Sequence, residues 1–372
     1  MTAGHEQSSA ATFPNAATMS VIGGGAVGGL LAALLARAGC SVELVVREQS
    51  QAAYRDGVRV TTPRGVFRQA LAVRTAPSPM AVLLIVAVKM PDLETTCRQL
   101  AAAWSGPAAR AGVAAAAVPA MLLLQNGLEA LDLAAHFWPA ERLHAAVVEL
   151  GATAFVPGEV TYAIPGRLLL GPAQRGQEAA ARQIAAWLTP ALRADVTQDV
   201  RGAQRLKLLV NLNNGVAAAT GLTIQQLYAS RAGVSISLGV MREGLAVLDA
   251  AGIAPPVNRR SLALRAVLGL PDVFGLSALR LARIGMRQRA PVFSSTLQSL
   301  LRHRPSEIRW LNGAIVRLAT EYNLPAPLNG AIVAVVEAME GGQAGPAFVR
   351  PSALLATGGQ AGRPVRYGAV RE

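Results

Sequence analysis

Residues 21–39 read VIGGGAVGGLLAALLARAG, in which a short apolar strand pattern passes through a glycine cluster into an alanine- and leucine-rich helix pattern. Gly23, Gly25 and Gly28 have the G-x-G-x-x-G spacing. There the first glycine permits a tight turn, the second lets a pyrophosphate approach the backbone, and the third lets helix and strand pack closely. A glycine triplet is also compatible with a flexible loop, but a second strand pattern follows at residues 42–46. The stretch therefore predicts a βαβ unit that binds a dinucleotide.

The length of 372 residues favours two domains rather than one. The apolar runs are interrupted by proline, glycine and polar residues, so none reads as a membrane span. No lysine or arginine precedes Arg37, which argues against a secretory signal peptide. We therefore expect a cytoplasmic protein that does not bind membranes, with residues 1–17 as a disordered leader.

The formal net charge of +13 comes from arginines that are spread along the chain. Nucleic-acid binding is not expected, because the basic residues neither cluster nor alternate with aromatic ones. The four histidines show no metal-ligand spacing, so no metal site is expected. The two isolated cysteines are typical of reduced packing residues. The expected partner is a small molecule, and a homodimer is left open.

Lysine is almost absent from this chain. Of 35 basic residues only Lys89 and Lys207 are lysines. Arginine stays protonated at any working pH, whereas a lysine can release and regain a proton where its surroundings allow it. We therefore expect a chemical role for at least one of the two, the alternative being two surface lysines retained by chance.

Three polar side chains follow predicted strands, where ligands bind in open α/β sheets. Arg47 ends the second strand, at the position where NAD-binding proteins usually have an acid, and Glu43 lies inside that strand. An arginine there suits a 2′-phosphate, which favours NADP, unless Arg47 is an ordinary exposed residue. Lys89 follows the buried run at residues 81–88 and can contact a phosphate or ribose. Asn126, in the sequence AMLLLQNG, can bond both substrate and cofactor or can belong to a simple Asn-Gly turn.

The remaining strand patterns extend the sheet. Residues 58–62 and 66–73 alternate as a β-hairpin. Residues 145–170 predict short antiparallel strands with turns at Pro157–Gly158 and Pro165–Gly166.

The resulting division has an α/β dinucleotide-binding domain at residues 18–199 and a helical domain at residues 200–340. Residues 341–372, rich in glycine, alanine and proline, are expected to be a flexible tail.

The helical half contains a second polar group. Lys207, Asn211 and Asn214 recur on one face of a predicted helix among apolar residues, which indicates a cleft or, alternatively, an exposed polar stripe. Ser295 precedes a later helix, and Glu307 lies near the start of another, where an acid also favours the helix dipole.

Taken together, the chain resembles the ketopantoate reductases (2-dehydropantoate 2-reductases) over roughly residues 19–340. The similar stretches are GGGAVGGLLAALLARAG with Arg47, VAVK at Lys89, LLLQNG at Asn126, RLKLLVN at Lys207, and SSTLQ followed by PSEI and LNG. The resemblance implies an N-terminal Rossmann domain, an all-α C-terminal domain and an active site in the cleft between them. It also implies reduction of the C2 ketone of ketopantoate to pantoate by NADPH, on the way to pantothenate and coenzyme A.

The resemblance further implies a role for individual residues. Lys207 matches the general acid and Glu307 the acid that organises the site. The substrate-binding positions are Asn126, Asn211, Asn214 and Ser295. The cofactor contacts are Gly23, Gly25, Ala26, Val27, Gly28, Arg47, Lys89, Asn126 and Ala154.

Two positions depart from the family pattern. The family usually has a second asparagine four residues after the one matched by Asn211, where this chain has Gly215, and an aspartate where this chain has Ser299. Asn214 can take the place of that asparagine, because residues three and four apart share a helix face. The differences leave open another branched 2-keto acid as substrate. A non-catalytic NADP-binding sensor is disfavoured, because a sensor needs no proton donor.

Overall fold

The fold was described from a computed structural model covering residues 18–105, 118–271, 293–342 and 347–358. The leader expected over residues 1–17 lies outside the described residues. The chain divides into two compact units, and the boundary falls between Lys207 and Leu208.

The first unit is α/β. Its described residues form ten strands: β1 (Thr18–Ile22), β2 (Val42–Val45), β3 (Val58–Thr62), β4 (Gly65–Gln69), β5 (Ala72–Arg74), β6 (Ala81–Val86), β7 (Ala120–Leu123), β8 (Leu143–Thr153), β9 (Glu159–Pro172) and β10 (Arg193–Val196). Its helices are α1 (Ala26–Arg37), α2 (Met90–Ser105), α3 (Ala130–Ala135) and α4 (Glu178–Leu188), with 3-10 turns at Glu48–Tyr54 and Ala140–Arg142.

The strands form one sheet in the order β4-β3-β9-β8-β7-β6-β1-β2-β5, with β10 paired to β9. The six strands from β8 to β5 in this order are mutually parallel. Parallel neighbours require crossover connections, which α1 provides between β1 and β2. The predicted Rossmann-like arrangement is confirmed.

Strand β6 and helix α1 supply much of the core. Leu83, Leu84 and Ile85 are fully buried, as expected of an unbroken apolar strand covered on both faces. On α1, Leu30 and Leu31 pack into the same core. Burial of one such side chain contributes roughly 1.5–3 kcal/mol.

The predicted hairpin is present, but its second strand is shorter than expected. Strands β3 and β4 pair antiparallel, whereas β5 pairs in parallel with β2 at the other end of the sheet. The single strand predicted over residues 66–73 is therefore wrong. Phe67, Leu71 and Val73 all pack on the core, so the apolar alternation continues through the break and does not reveal it.

Strands β8 and β9 pair antiparallel, as predicted, and the turn at Pro157–Gly158 is also confirmed. The turn predicted at Pro165–Gly166 is wrong, because both residues lie inside β9, where its register against β8 shifts. A side chain at Gly166 would collide with the backbone oxygen of Glu149. The glycine therefore permits close strand approach, and the proline occupies an irregular position in the ladder.

The second unit is helical throughout its described residues, as predicted. It contains most of α5 (Val200–Thr220), followed by α6 (Ile224–Leu227), α7 (Arg231–Ala250), α8 (Arg259–Gly269), α9 (Ser295–Leu300), α10 (Asn312–Glu321), α11 (Pro327–Gly341) and α12 (Pro351–Gly358), with a 3-10 turn at Ile308–Trp310. Within the described ranges, none of the helices of either unit is both long and apolar enough to cross a bilayer.

The flexible tail predicted from residue 341 is wrong for residues 347–358. Helix α12 packs against α7 and α11, and Leu354 is buried. The backbone N–H of Val349 donates to the carbonyl of Ala219 at 2.9 Å. Apolar contacts on one helix face outweigh the loop-like composition, and Pro351 suits the first turn of a helix. The rest of the predicted tail, apart from residues 341–342, lies outside the described residues.

Candidate active site

The three glycines of the motif occupy three different environments. Gly23 has φ +106°, a conformation that favours glycine. A side chain at Gly28 would collide with the carbonyl oxygen of Gly23 and lie 2.9 Å from Ala87 Cβ. Gly25 is exposed, and a Cβ there would meet nothing within 4 Å. The first and third glycines therefore build the turn, while Gly25 leaves open space at the start of α1.

Gly25 is also the N-cap of α1, and no side chain caps this helix end. The first N–H groups of a helix have no intrahelical acceptors, and the helix dipole there favours negative charge. Ala26, Val27 and Gly28 supply the first of these N–H groups. An uncapped helix start with open space in front of it fits a pyrophosphate.

Tyr54 holds the glycine loop in place through its hydroxyl group. Its hydroxyl donates to the carbonyl of Gly24, and a side chain at Gly24 would collide with that hydroxyl. Sequence reasoning missed Tyr54, since a buried tyrosine in a 3-10 turn has no motif that marks it.

The polar residues predicted at strand ends lie at one edge of the sheet. The backbone hydrogen-bond ladder continues beyond the strands through Gly23 N to Val45 O (2.9 Å), Ala87 N to Ile22 O (2.8 Å) and Leu124 N to Val86 O (3.1 Å). The loops that carry the glycine motif, Arg47, Lys89 and Asn126 therefore start side by side, at the edge where α/β proteins bind ligands. Lys89 and Asn126 are half-buried, and Ala154 is buried just after β8.

Arg47 is 65% exposed and its guanidinium lies 3.0 Å from the carboxylate of Asp92, in the first turn of α2. Glu43 is buried and accepts hydrogen bonds from the Ser20 hydroxyl at 2.6 Å and from the backbone N–H of Ser78. Its carboxylate is therefore occupied inside the sheet, in agreement with the interpretation that Glu43 does not replace the missing acid. Sequence reasoning missed Asp92, which belongs to a different helix.

Gln125 joins two of these loops. Its side-chain amide donates to the carbonyls of Val86 at 3.0 Å and Val88 at 2.8 Å. Val88 in turn lies against Gly23, where an added Cβ would be 3.1 Å from the Val88 backbone nitrogen. Gln125 thus fixes the segment that leads to Lys89. Its place in the QNG stretch, directly before Asn126, was the signal that could have identified it.

Lys207 is held against the sheet of the first unit. It is half-buried on α5, and its Nζ donates to the carbonyl of Val148 at 2.7 Å. Val148 lies beyond Ala145, the β8 residue that pairs with Leu123 at the end of β7. The ammonium group therefore lies towards the carboxyl ends of the parallel strands, on the same side of the sheet as Asn126.

The helical unit brings together two of the predicted substrate-binding residues. The side-chain nitrogen of Asn214 lies 3.5 Å from the Ser295 hydroxyl, at the outer limit of a hydrogen bond. Ser294 fixes this approach, because its hydroxyl donates to the Asn214 carbonyl at 3.0 Å and accepts from Leu297 N at 3.1 Å as the N-cap of α9. Asn211 is half-buried, one turn earlier on α5.

Glu307 is 5% exposed and precedes the 3-10 turn Ile308–Trp310. Its side chain makes no capping bond to that turn, whereas the hydroxyl of Ser306 accepts from Ile308 N at 3.1 Å. Side-chain capping of this turn therefore does not account for the acid at position 307.

Gly215, the first of the two departures from the family pattern, lies where a side chain has no room. A side chain there would collide with Oδ1 of Asn312 and lie 2.9 Å from Ile308 Cδ1. Asn312 is fully buried and donates to the Leu212 carbonyl at 3.2 Å and to Asn329 Oδ1 at 2.9 Å. The space of an asparagine at position 215 is thus filled by Asn312 of α10.

The second departure, Ser299, is also buried, and its hydroxyl donates to the carbonyl of Ser295 at 3.0 Å. The serine is accommodated by a bond to the backbone of its own helix. Over the described part of the chain, histidine, cysteine and acidic side chains form no group of three or more that could hold a metal ion.

The sequence matches two profiles of one family. Residues 19–175 match "Ketopantoate reductase PanE/ApbA", and residues 199–340 match its C-terminal part. A 2-dehydropantoate 2-reductase from Archaeoglobus fulgidus is 25% identical over 327 residues, covering 87% of this chain and 98% of that protein.

Solved structures are similar over the same part of the chain. The PanE/ApbA family ketopantoate reductase from Ralstonia eutropha is 28% identical and superposes with a TM-score of 0.67, covering 87% of this chain and 98% of the other. A D-mandelate dehydrogenase with NADH and anilino(oxo)acetate shares the fold, with a TM-score of 0.71, 20% identity and the same coverage of both chains. The two profiles account for most of both units, and the chain belongs to the ketopantoate reductase family of oxidoreductases.

Proposed function

We propose that this chain is an NADPH-dependent 2-dehydropantoate 2-reductase that forms pantoate, with Lys207 as the general acid. The position of Lys207 is the main support for this proposal. This residue is one of only two lysines in the chain, and the Val148 carbonyl holds its ammonium at 2.7 Å, on strand β8 of the sheet whose strand ends carry the nucleotide motif. The relative from Archaeoglobus fulgidus bears the same activity in its name.

The residues at the sheet edge fit a dinucleotide. Gly25 leaves open space before an uncapped helix, which suits a pyrophosphate. Arg47, exposed at the end of β2, is proposed to bind the 2′-phosphate of NADPH. Lys89 and Asn126 are proposed to bind the ribose and nicotinamide side, together with Ala154. The bound nucleotide supplies the hydride.

Transfer of a hydride to the C2 carbonyl leaves negative charge on the carbonyl oxygen. The ammonium of Lys207 stabilises that charge and donates the proton that completes the alcohol, a contribution of typically about 10²–10⁴-fold. The bond to Val148 keeps the amine in position for this step. Glu307 is proposed to orient the site, and Asn211, Asn214 and Ser295 to bind the hydroxyl and carboxylate of the substrate. The proposed location of the protein is the cytoplasm, where the two free cysteines of this chain would stay reduced.

One observation favours a second candidate substrate. Gly215 offers no amide, and Asn312 occupies the space in which a family asparagine would lie. If Asn214 does not take the place of that amide, the site lacks one bonding group for the substrate hydroxyl. The second candidate is therefore another branched 2-keto acid, one that lacks the 4-hydroxyl group of ketopantoate.

NADPH oxidation with a panel of 2-keto acids tests both candidates. The panel includes ketopantoate, the same acid without its 4-hydroxyl group, and linear 2-keto acids. If the site bonds the hydroxyl, kcat/KM for ketopantoate exceeds that for the deoxy analogue by about 10²-fold or more. A preference for the analogue selects the second candidate, and no oxidation with any 2-keto acid contradicts both.

A further inference from the structure

The acid missing from the end of β2 is supplied by another element. In dinucleotide-binding units, a carboxylate at this strand end accepts a bond from the adenosine ribose 2′-hydroxyl of NAD. Here Arg47 holds that position, and the Asp92 carboxylate reaches it from the first turn of α2, with 3.0 Å between the charged atoms. Glu43 is held inside the sheet by Ser20 and Ser78. The position that would contact the adenosine ribose thus combines a guanidinium and a carboxylate.

The two nucleotides make different demands on this pair. A 2′-phosphate carries about two negative charges, so it must compete with Asp92 for the Arg47 guanidinium and is repelled by the carboxylate. A 2′-hydroxyl has no charge and can donate to Asp92 while the ion pair stays intact. Asp92 therefore opposes one nucleotide and assists the other.

Solvent limits the size of this effect. The side chain of Arg47 is 65% exposed and that of Asp92 is 49% exposed, so their interaction is screened by water and salt. A bond from the ribose hydroxyl to a carboxylate adds to the charge effect in the same direction. Both contributions together amount to a change in discrimination of about tenfold.

We propose that Asp92 is a specificity-determining residue that reduces the preference of this chain for NADPH over NADH. This inference rests on the nucleotide-binding role proposed above. It extends that role by assigning the discrimination to a helix that sequence reasoning had not connected with the cofactor.

Nucleotide affinity, measured by isothermal titration of the full chain without substrate, tests the inference. In Asp92→Asn we expect tighter NADPH binding and weaker NADH binding, with the ratio of the two Kd values shifted about tenfold towards NADPH at low salt. The shift should shrink as salt is added, because the groups are exposed. A melting curve for each variant shows whether it is folded.

Glu94 provides a matched control. It lies on the same helix, is 57% exposed and forms a comparable ion pair with Arg98 at 2.7 Å. Glu94→Gln removes the same charge without touching Arg47, so the Kd ratio should stay at the wild-type value. If Asp92→Asn leaves the ratio unchanged, or if both variants shift it equally, the inference is overturned. If the wild-type chain binds neither nucleotide, the proposed function fails as well, which separates the two failures.

Discussion

Glycine is required for different reasons in the two units. In the α/β unit, Gly23 adopts a left-handed conformation and Gly28 packs against the carbonyl of Gly23, so the backbone of one short loop imposes both residues. In the helical unit, Gly215 faces the side chain of Asn312, which comes from another helix. A local backbone requirement leaves a spacing that can be found in a sequence. A requirement imposed by a distant side chain leaves a single glycine without a pattern.

The largest expected effect separates nucleotide binding from turnover. Replacement of Lys207 by alanine should lower kcat by about 10²–10⁴-fold, because the proton donor and the charge beside the carbonyl oxygen are lost. The Kd for NADPH should stay near the wild-type value, since the glycine loop and Arg47 are untouched. Stopped-flow hydride transfer and titration with NADPH measure the two quantities.

Two further variants support that measurement. Lys207→Arg keeps a positive charge but removes a group that readily gives up a proton, so its activity should stay close to that of Lys207→Ala. Arg205→Ala, on the same helix, removes a charge without removing either lysine and should leave turnover unchanged. Near-normal turnover in Lys207→Ala would remove this residue from the reaction.

The next prediction compares two glycines of the same motif, one that packs against the backbone and one that faces open space. Gly28→Ala should destabilise the α/β unit by about 3 kcal/mol, because the new Cβ collides with the carbonyl of Gly23 and the backbone must move. Gly25→Ala should change stability by no more than about 0.5 kcal/mol, because its Cβ meets nothing within 4 Å. Urea unfolding measures both.

Gly25→Ala should nevertheless weaken NADPH binding by about tenfold, because the added methyl group occupies space proposed for the pyrophosphate. Equal stability of the two variants would show that the motif glycines share one role. Unchanged affinity in Gly25→Ala would place the pyrophosphate elsewhere.

Gly215 tests the helical unit in the same way. Gly215→Asn should destabilise the fold by about 2–3 kcal/mol through collision with Asn312 and Ile308. The double variant Gly215→Asn with Asn312→Ala should regain part of that loss, and a double-mutant cycle measures the coupling. Additive effects of the two substitutions would contradict the steric explanation.

The last prediction uses pH to distinguish the units. In the α/β unit, burial, with a smaller effect from Arg142, lowers the pKa of His144 from 6.5 to about 4. The unfolded chain then binds more protons between these values, so stability is full above pH 6.5 and is lost as the pH falls towards 4. Between pH 7 and pH 5 the loss should be about 2 kcal/mol, and His144→Gln should lack it.

The helical unit should respond in the opposite direction. Burial raises the pKa of Glu243, against hydrogen bonds from Asn329 and Leu328 that lower it. A carboxyl with a raised pKa in the folded state favours stability at low pH and disfavours it as the pH rises. Hydrogen exchange at pH 7 and pH 5 follows each unit separately, and parallel changes in the two units would contradict this contrast.

Sequence reasoning succeeded where the signal was local. The buried run that forms β6 and the glycine spacing identified the parallel sheet and the edge where Arg47, Lys89 and Asn126 lie. It failed where pairing over long distances decides the structure. The alternation of apolar residues continues across the break between β4 and β5, so the sequence does not reveal that break. Pro165–Gly166 has the composition of a turn but lies inside β9.

The candidate site divides in the same manner. Strand-end residues follow apolar runs and could be located, whereas Asp92, Gln125 and Tyr54 act through contacts with loops from other parts of the chain. Asn312 was visible only as part of the LNG stretch, and nothing in its neighbourhood marks the contact with Gly215. Such contacts depend on packing between helices, for which the sequence carries no periodic signal.

The contact between Gly215 and Asn312 also constrains how this chain can evolve. With Asn312 in place, an asparagine at position 215 is a destabilising first step, so loss of the side chain at 312 has to come earlier or at the same time. The order in which positions 215 and 312 change therefore decides whether the intermediate protein is stable. A mutational library that varies position 215 alone would reject asparagine because of its neighbour, whatever its value for the reaction. Libraries for this enzyme should vary the two positions as a pair.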